Sequence, residues 1–109
     1  MSQRVAKVES LIQQVVATAL IQVLDSDAAG VTVTRVDAAP DLRTATVWIG
    51  LLGDHARQDV LWAHIERERH ELQDALAAHM TTKFVPRLHF KRDTGGEYAA
   101  EIDRLLRKI

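Results

Sequence analysis

Histidines and carboxylates are the side chains in this sequence that could do bond chemistry, and the sequence holds five histidines. His70-Glu71-Leu72-Gln73 begins like a zinc-protease helix, in which two histidines one turn apart hold the metal and the glutamate activates water. The position one turn on is Asp74, not histidine. Aspartate can ligate zinc, but the segment is polar and offers no third ligand. It reads as a solvated helix face, so neither a metal nor another cofactor is expected. Glu68 and Glu71 could share acid–base work if a cleft raised one pKa. The interleaved Arg67 and Arg69 neutralise them instead. Gly95-Gly96 is an isolated pair suited to a turn, and no serine or threonine sits in a nucleophile-elbow pattern. The expectation is a protein that is not an enzyme and takes no small-molecule substrate.

Binding chemistry is better represented. Lys83 to Arg92, KFVPRLHFKR, carries Lys83, Arg87, Lys91 and Arg92 and no acid. Four such cations can contact phosphates, and that binding weakens steeply with salt. Asp54 to Asp74 is the opposite, with six acids against three arginines. The formal net charge is only −1, yet separated charge of this kind can still present a basic face. Trp48 alternates with apolar neighbours on a predicted strand, which puts it on the outer face. Exposed aromatics mark contact surfaces for bases or for proteins.

These side chains are positioned by elements that the apolar spacing predicts. From Arg4 to Leu24, Val5, Val8, Ile12, Val15, Ala19 and Val23 recur at spacings of three and four, the mark of a helix with one apolar stripe. Ser2 can cap its start, and Arg4 and Lys7 lie on its polar side. Asp25 to Gly30 should stop it, with Gly30 suited to positive φ. Two strands follow, Val31 to Ala38 and Thr44 to Leu51. In the second, Ala45, Val47, Ile49 and Leu51 face one way. In the first, Val31 and Val33 have the opposite parity to Val36 and Ala38, which a bulge near Thr34 would reconcile. Ala39-Pro40-Asp41-Leu42 joins the strands as a turn, with proline at its first corner and aspartate accepting from backbone amides.

A long helical region is expected from about Arg57 to Met80, striped by Leu61, Ile65, Leu72 and Leu76. Its stripe is interrupted at Glu68 and Arg69, so the helix is either exposed there or bent. Thr81-Thr82 ends it. A third strand, Arg87 to Asp93, should point Leu88 and Phe90 inward and Arg87, His89 and Lys91 outward. Thr94-Gly95-Gly96-Glu97 has capping-box spacing and opens a last short helix with Ile102, Leu105, Leu106 and Ile109. The order predicts an α+β fold, a three-stranded mixed sheet covered by helices.

The 109 residues suit one domain, 1–109, and are 47% hydrophobic and 27% charged. No cysteine is present, which fits a reducing compartment. No apolar run is expected to approach the ~18 residues of a membrane span. The N-terminal glutamines and Glu9 do not fit a signal peptide. A cytoplasmic monomer without a membrane partner is the expectation.

The hairpin also carries a resemblance. Val31-Thr32-Val33-Thr34, Pro40-Asp41-Leu42-Arg43, and Ala45, Val47 with Leu52-Gly53-Asp54 resemble the core signature of the bacterial ribosome-binding factor A family. Val85-Pro86-x-Leu88-x-Phe90 is similar to its Pro-Glu-Leu-x-Phe strand, and Ile102-Asp103-x-Leu105-Leu106 to its last helix. The resemblance begins at Arg4-Val5-Ala6 and covers nearly the whole chain. It implies a type II KH-like fold and an assembly factor that binds the immature small ribosomal subunit and its rRNA. That role includes helping 16S rRNA mature near its 5′ end, above all in the cold. With that partner, the charge distribution of this sequence points to RNA contacts from Arg4, Lys7, Arg43, Arg69, Lys83, Arg87, Lys91 and Arg92, with the outward Trp48 as a further RNA or protein contact.

The family bends its long helix at an Ala-x-Gly kink, where typical KH domains carry a Gly-x-x-Gly loop. Counting back from Val85-Pro86 puts the kink at Glu68-Arg69-His70, where neither alanine nor glycine is found. The family's basic stretch after the kink is here Gln73, Ala78, Thr81 and Thr82. Its Asp-Pro-Arg-Leu-Gly before the first strand is Asp25 to Gly30 without proline or arginine. A second expectation is therefore a protein-interaction module of the same fold with weakened RNA binding, using Trp48 rather than the cations.

Overall fold

The computed structural model describes residues 3–94. Ser2, the Gly95–Glu97 part of the capping box and the last helix lie outside the described residues. Helix α1 spans Gln3–Leu24 and buries Ile12, Val15, Val16, Ala19, Leu20 and Leu24. This stripe is rotated from the expected one, which ended at Val23 and left out Val16 and Leu20. Both rows are apolar, so periodicity could not choose between them; packing against the sheet and the crossover helices does. Together with the turn after it, α1 is long and apolar enough by length and composition to cross a bilayer. That corrects the expectation that no segment reaches such a length. Here its apolar side is committed to the protein core.

Asp25–Gly30 forms a 3-10 turn. The positive φ falls on Asp25 (51°), not on Gly30 as expected. Gly30 is needed for space instead: a Cβ there would lie 2.9 Å from Leu61 Cδ1.

Strand β1, Val31–Ala38, pairs antiparallel with β2, Thr44–Leu51. The register shifts between Val33 and Arg35, so Thr34 is the bulged residue that the parity change required. After the bulge Val36 turns into the core. In the connecting turn, Leu42 N–H donates to Ala39 O (2.8 Å) and Arg43 N–H to Asp41 Oδ1 (3.1 Å). Leu42 carries the turn's positive φ, 59°. Glu9 of α1 fastens the end of β1 by accepting from Ala38 N–H at 2.8 Å. Strand β3, Arg87–Arg92, runs parallel to β2, from Thr44↔Arg87 to Ile49↔Arg92. The sheet order is β1-β2-β3.

The crossover from β2 to β3 is two helices rather than one, α2 (His55–Arg67) and α3 (Arg69–His79). Asp54 caps α2 by accepting from Arg57 N–H at 2.8 Å. The break is at Glu68, with φ −95° and ψ 7°. Its N–H is shared between His64 O and Ile65 O, both at 3.1 Å, while its own carbonyl accepts from Leu72 N–H. A negative φ with ψ near zero is open to any L-residue, which is why the bend needs no glycine. The break separates two buried pairs, Leu61 with Ile65 and Leu72 with Leu76. The core gathers Ile12, Val16, Leu20, Val47, Ile49, Ile65, Leu72 and Leu76 between the helices and one face of the sheet.

Candidate nucleic-acid interface

The loop between α3 and β3 divides the basic residues into two groups. Val85 and Arg87 border a groove on one side; Phe84 and Pro86 border another. Alternate residues of an extended chain point to opposite sides, so one short loop serves both.

The first groove, about 650 Å³, lies between the start of α3 and β3 and is lined by Arg69, His70, Gln73, Arg87 and His89 among others. Two of the expected contacts, Arg69 and Arg87, meet here beside the helix break. Arg43 stands next to them, since Arg87 N–H donates to Arg43 O at 2.9 Å, and its side chain is 84% exposed. Arg69 lies 3.5 Å from Glu66, and His70 3.4 Å from Asp74. Such exposed pairs are worth well under about 1 kcal/mol, so a phosphate can displace them. Of the residues expected at the kink, Glu68 makes the bend, while Arg69 and His70 open α3.

Gln73 holds this groove's shape. Its Nε2 donates to Pro86 O at 2.9 Å, and its Oε1 accepts from Leu88 N–H at 2.8 Å. β3 is an edge strand, and the amide supplies the partners that a fourth strand would. In sequence Gln73 appeared only within the zinc-protease-like stretch and as a missing cation.

The second groove, about 640 Å³, joins the start of α1, the β1–β2 turn and the α3–β3 loop. Arg4, Lys7 and Lys83 line it together with Leu42, Met80 and Phe84. Phe84 is 72% exposed, and Lys83 Nζ lies 5.6 Å from its ring centre. Sequence reasoning passed over Phe84: it shares the inward parity of Leu88 and Phe90, but it lies before β3 begins at Arg87, where that parity no longer holds.

The remaining cations do not join either group. Lys91 Nζ stands 5.6 Å from the Trp48 ring centre, with Arg35 on the same ring at 5.0 Å. Trp48 is half-buried, and its Nε1–H donates to Asp37 Oδ2 at 3.2 Å. Arg92 shares the inward parity of Leu88 and Phe90. Its guanidinium is held 3.0 Å from Asp59 and lies over Trp62. Arg92 therefore braces β3 against α2 rather than extending the outward row.

A further polar cluster ties the 3-10 turn to α2. His64 Nδ1–H donates to Asp27 Oδ2 at 3.0 Å, and Arg57 donates to Asp27 Oδ1 at 2.9 Å. The hydrogen bond from His64, then that from Arg57, holds the Asp27 carboxyl below its ordinary value. No group of three or more metal-ligating side chains occurs among the described residues.

A helix, an antiparallel hairpin, a broken crossover helix and a parallel third strand make this a KH-like domain. The chain belongs to the ribosome-binding factor A family, which it matches over residues 4–106. Members of that family are ribosome-associated factors and not enzymes. The ribosome-binding factor A of Thermomicrobium roseum is 38% identical over 72% of this chain and 61% of its own length, so the match spans about three fifths of that relative. The Dinoroseobacter shibae protein is also 38% identical, over 96% of this chain and 80% of its own. The crystal structure of ribosome-binding factor A from Thermus thermophilus superposes with a TM-score of 0.68 at 20% identity, covering 81% of this chain and 93% of that one. A homology model of the Thermus thermophilus factor, fitted into a cryo-EM map of a 30S complex, gives 0.61 at 22% identity, over 76% and 88%. At these identities the likeness is one of fold.

Proposed function

We propose that this protein is a ribosome-assembly factor that binds the immature small ribosomal subunit through its 16S rRNA. The observation that carries the reading is the groove beside Glu68, whose lining brings Arg69 and Arg87 together with His70 and His89. The bend at Glu68 is the counterpart of the family's kink, which stands where typical KH domains carry a Gly-x-x-Gly loop, and this supports the reading. The Thermus thermophilus factor of the same fold, fitted into its 30S complex, supports the choice of partner. The protein acts by favouring one RNA conformation through differential binding, with no bond made or broken. The RNA it assists lies near the 5′ end of 16S rRNA, and the need for it is greatest in the cold, where misfolded RNA escapes slowly. It works as a cytoplasmic monomer without a cofactor. Arg43 extends the phosphate-binding row beyond Arg87.

Sedimentation with small subunits from a strain lacking the factor tests this. The wild type should co-migrate at low salt and be released as salt rises. Replacing Arg69 and Arg87 together by Ala should reduce the slope of log affinity against log salt by about 1.5, from about 0.7–0.9 per lost phosphate contact. Absence of co-migration even at low salt would refute the assignment.

A further inference from the structure

We propose that the groove holding Phe84 is a pocket for an unpaired nucleobase, which lets this domain hold single-stranded RNA as well as track phosphates. The inference rests on the RNA-binding reading above and adds a second site with a different recognition chemistry.

Phe84 is the starting point. An aromatic ring 72% exposed sits on a loop that is itself braced, because Thr82 Oγ1 donates to Phe84 O at 2.9 Å. Ile21, Leu52 and Val60 are also exposed, but none of them lines this cation-rimmed groove. Phe84 does. Arg4 and Lys7 come from one end of α1, and Lys83 from the loop itself; Leu42 and Met80 supply an apolar floor. Among the described residues the only acid on the lining is Asp41, which already accepts from Arg43 N–H and lies 4.0 Å from the Arg43 guanidinium.

An exposed apolar ring alone would fit a protein partner equally well. The surrounding charge decides the matter. A base offers a π-face to Phe84, and the phosphates on either side of it need cations at the rim. Three cations from two elements stand there. Base–aromatic stacking is tolerant of sequence, so the pocket gives no base code. It discriminates by strandedness, since a base inside a duplex cannot leave its stack without cost. Lys83, now over the Phe84 ring, moves to the phosphate when a base takes its place.

The test is fluorescence anisotropy of the full chain with a labelled oligoadenylate of about eight nucleotides, alongside an RNA duplex. Circular dichroism checks that each variant is folded. Phe84→Ala should weaken single-strand binding about tenfold or more and leave duplex binding nearly unchanged. Phe84→Trp should retain or tighten it. Phe84→Leu should behave like the Ala variant, because leucine keeps the apolar contact and loses the stacking face. Wild-type affinity in the Leu variant would overturn the proposal in favour of a protein side chain as occupant. Equal affinity in wild type and Ala variant, or no binding of oligoadenylate by the wild type, would overturn it outright. Sedimentation with small subunits is read separately. If the wild type co-migrates but Phe84→Ala binds oligoadenylate normally, only the pocket falls. If single-strand binding depends on Phe84 but no co-migration is seen, the pocket stands and the assembly role falls.

Discussion

Replacing Gln73 by Leu should loosen the edge strand that carries Arg87, and the size of the effect can be worked from the contacts. The side-chain amide makes two part-buried hydrogen bonds, to Pro86 O at 2.9 Å and from Leu88 N–H at 2.8 Å. Leucine has similar bulk but cannot pair with either backbone group. Each buried group left without a partner costs about 1–3 kcal/mol. Some of this is offset, because the groove lets water reach the site and leucine buries more apolar surface. The net loss should be about 2–4 kcal/mol. For a domain of this size about 1 kcal/mol shifts the melting temperature by about 4 °C, so the midpoint should fall by about 8–16 °C. Calorimetry measures the shift, and hydrogen exchange should show the Leu88 amide losing protection before the rest of the sheet. Gln73→Glu separates the two bonds. Its carboxylate keeps the acceptor for Leu88 N–H but places an oxygen where a donor faced Pro86 O. The folded state then favours the protonated carboxyl, raising its pKa, so this variant should regain stability as pH falls. A Leu variant melting within about 2 °C of the wild type would refute the idea that the amide holds β3.

Two further substitutions probe the frame. At Gly50 a Cβ would lie 3.0 Å from Thr34 Cγ2 and 3.1 Å from Thr32 Cγ2. Thr34 is also tethered, since its Oγ1 donates to Asp93 Oδ2 at 2.7 Å. Gly50→Val should therefore lower the urea midpoint by the equivalent of about 1–3 kcal/mol of overpacking; an unchanged midpoint would contradict the close approach. Asp27→Asn tests the polar cluster through pH. The carboxyl's folded pKa lies below its ordinary 3.8, so its stabilisation is present above the unfolded value and is lost as pH falls through the folded one. Wild type should melt above the variant at neutral pH, and the gap should close below about pH 4. A gap that stays constant into acid would show that the carboxylate is not held by His64 and Arg57.

The parts of this protein that were legible before any coordinates share one property: their cause is local. The bulge at Thr34 follows from a change of parity within eight residues of β1. The turn at Pro40-Asp41 follows from the backbone preferences of two residues. The break at Glu68 was marked by charge in an apolar stripe, although its cause was not. A bend without glycine needs only a negative φ, and nothing in residue type announces that. The rotation of the α1 stripe was not legible, since Val23 and Leu24 are both apolar, and only the partner surface buries Leu24 rather than Val23.

The candidate site divides along the same line. Residue types and spacing determined that this chain is an α+β binding domain of one family and that its cations cluster after Lys83, because alternation, turn chemistry and charge density are written along the chain. Tertiary structure alone decided which cations lie together. Arg69 and Arg87 meet because a parallel crossover returns the chain beside its own broken helix. Arg4, Lys7 and Lys83 meet around Phe84 because one end of α1 lies against the loop that leaves α3. Arg92, adjacent in sequence to Lys91, is taken out of the outward row by the pleat, since successive side chains of a strand point to opposite faces and its face already held Asp59 and Trp62.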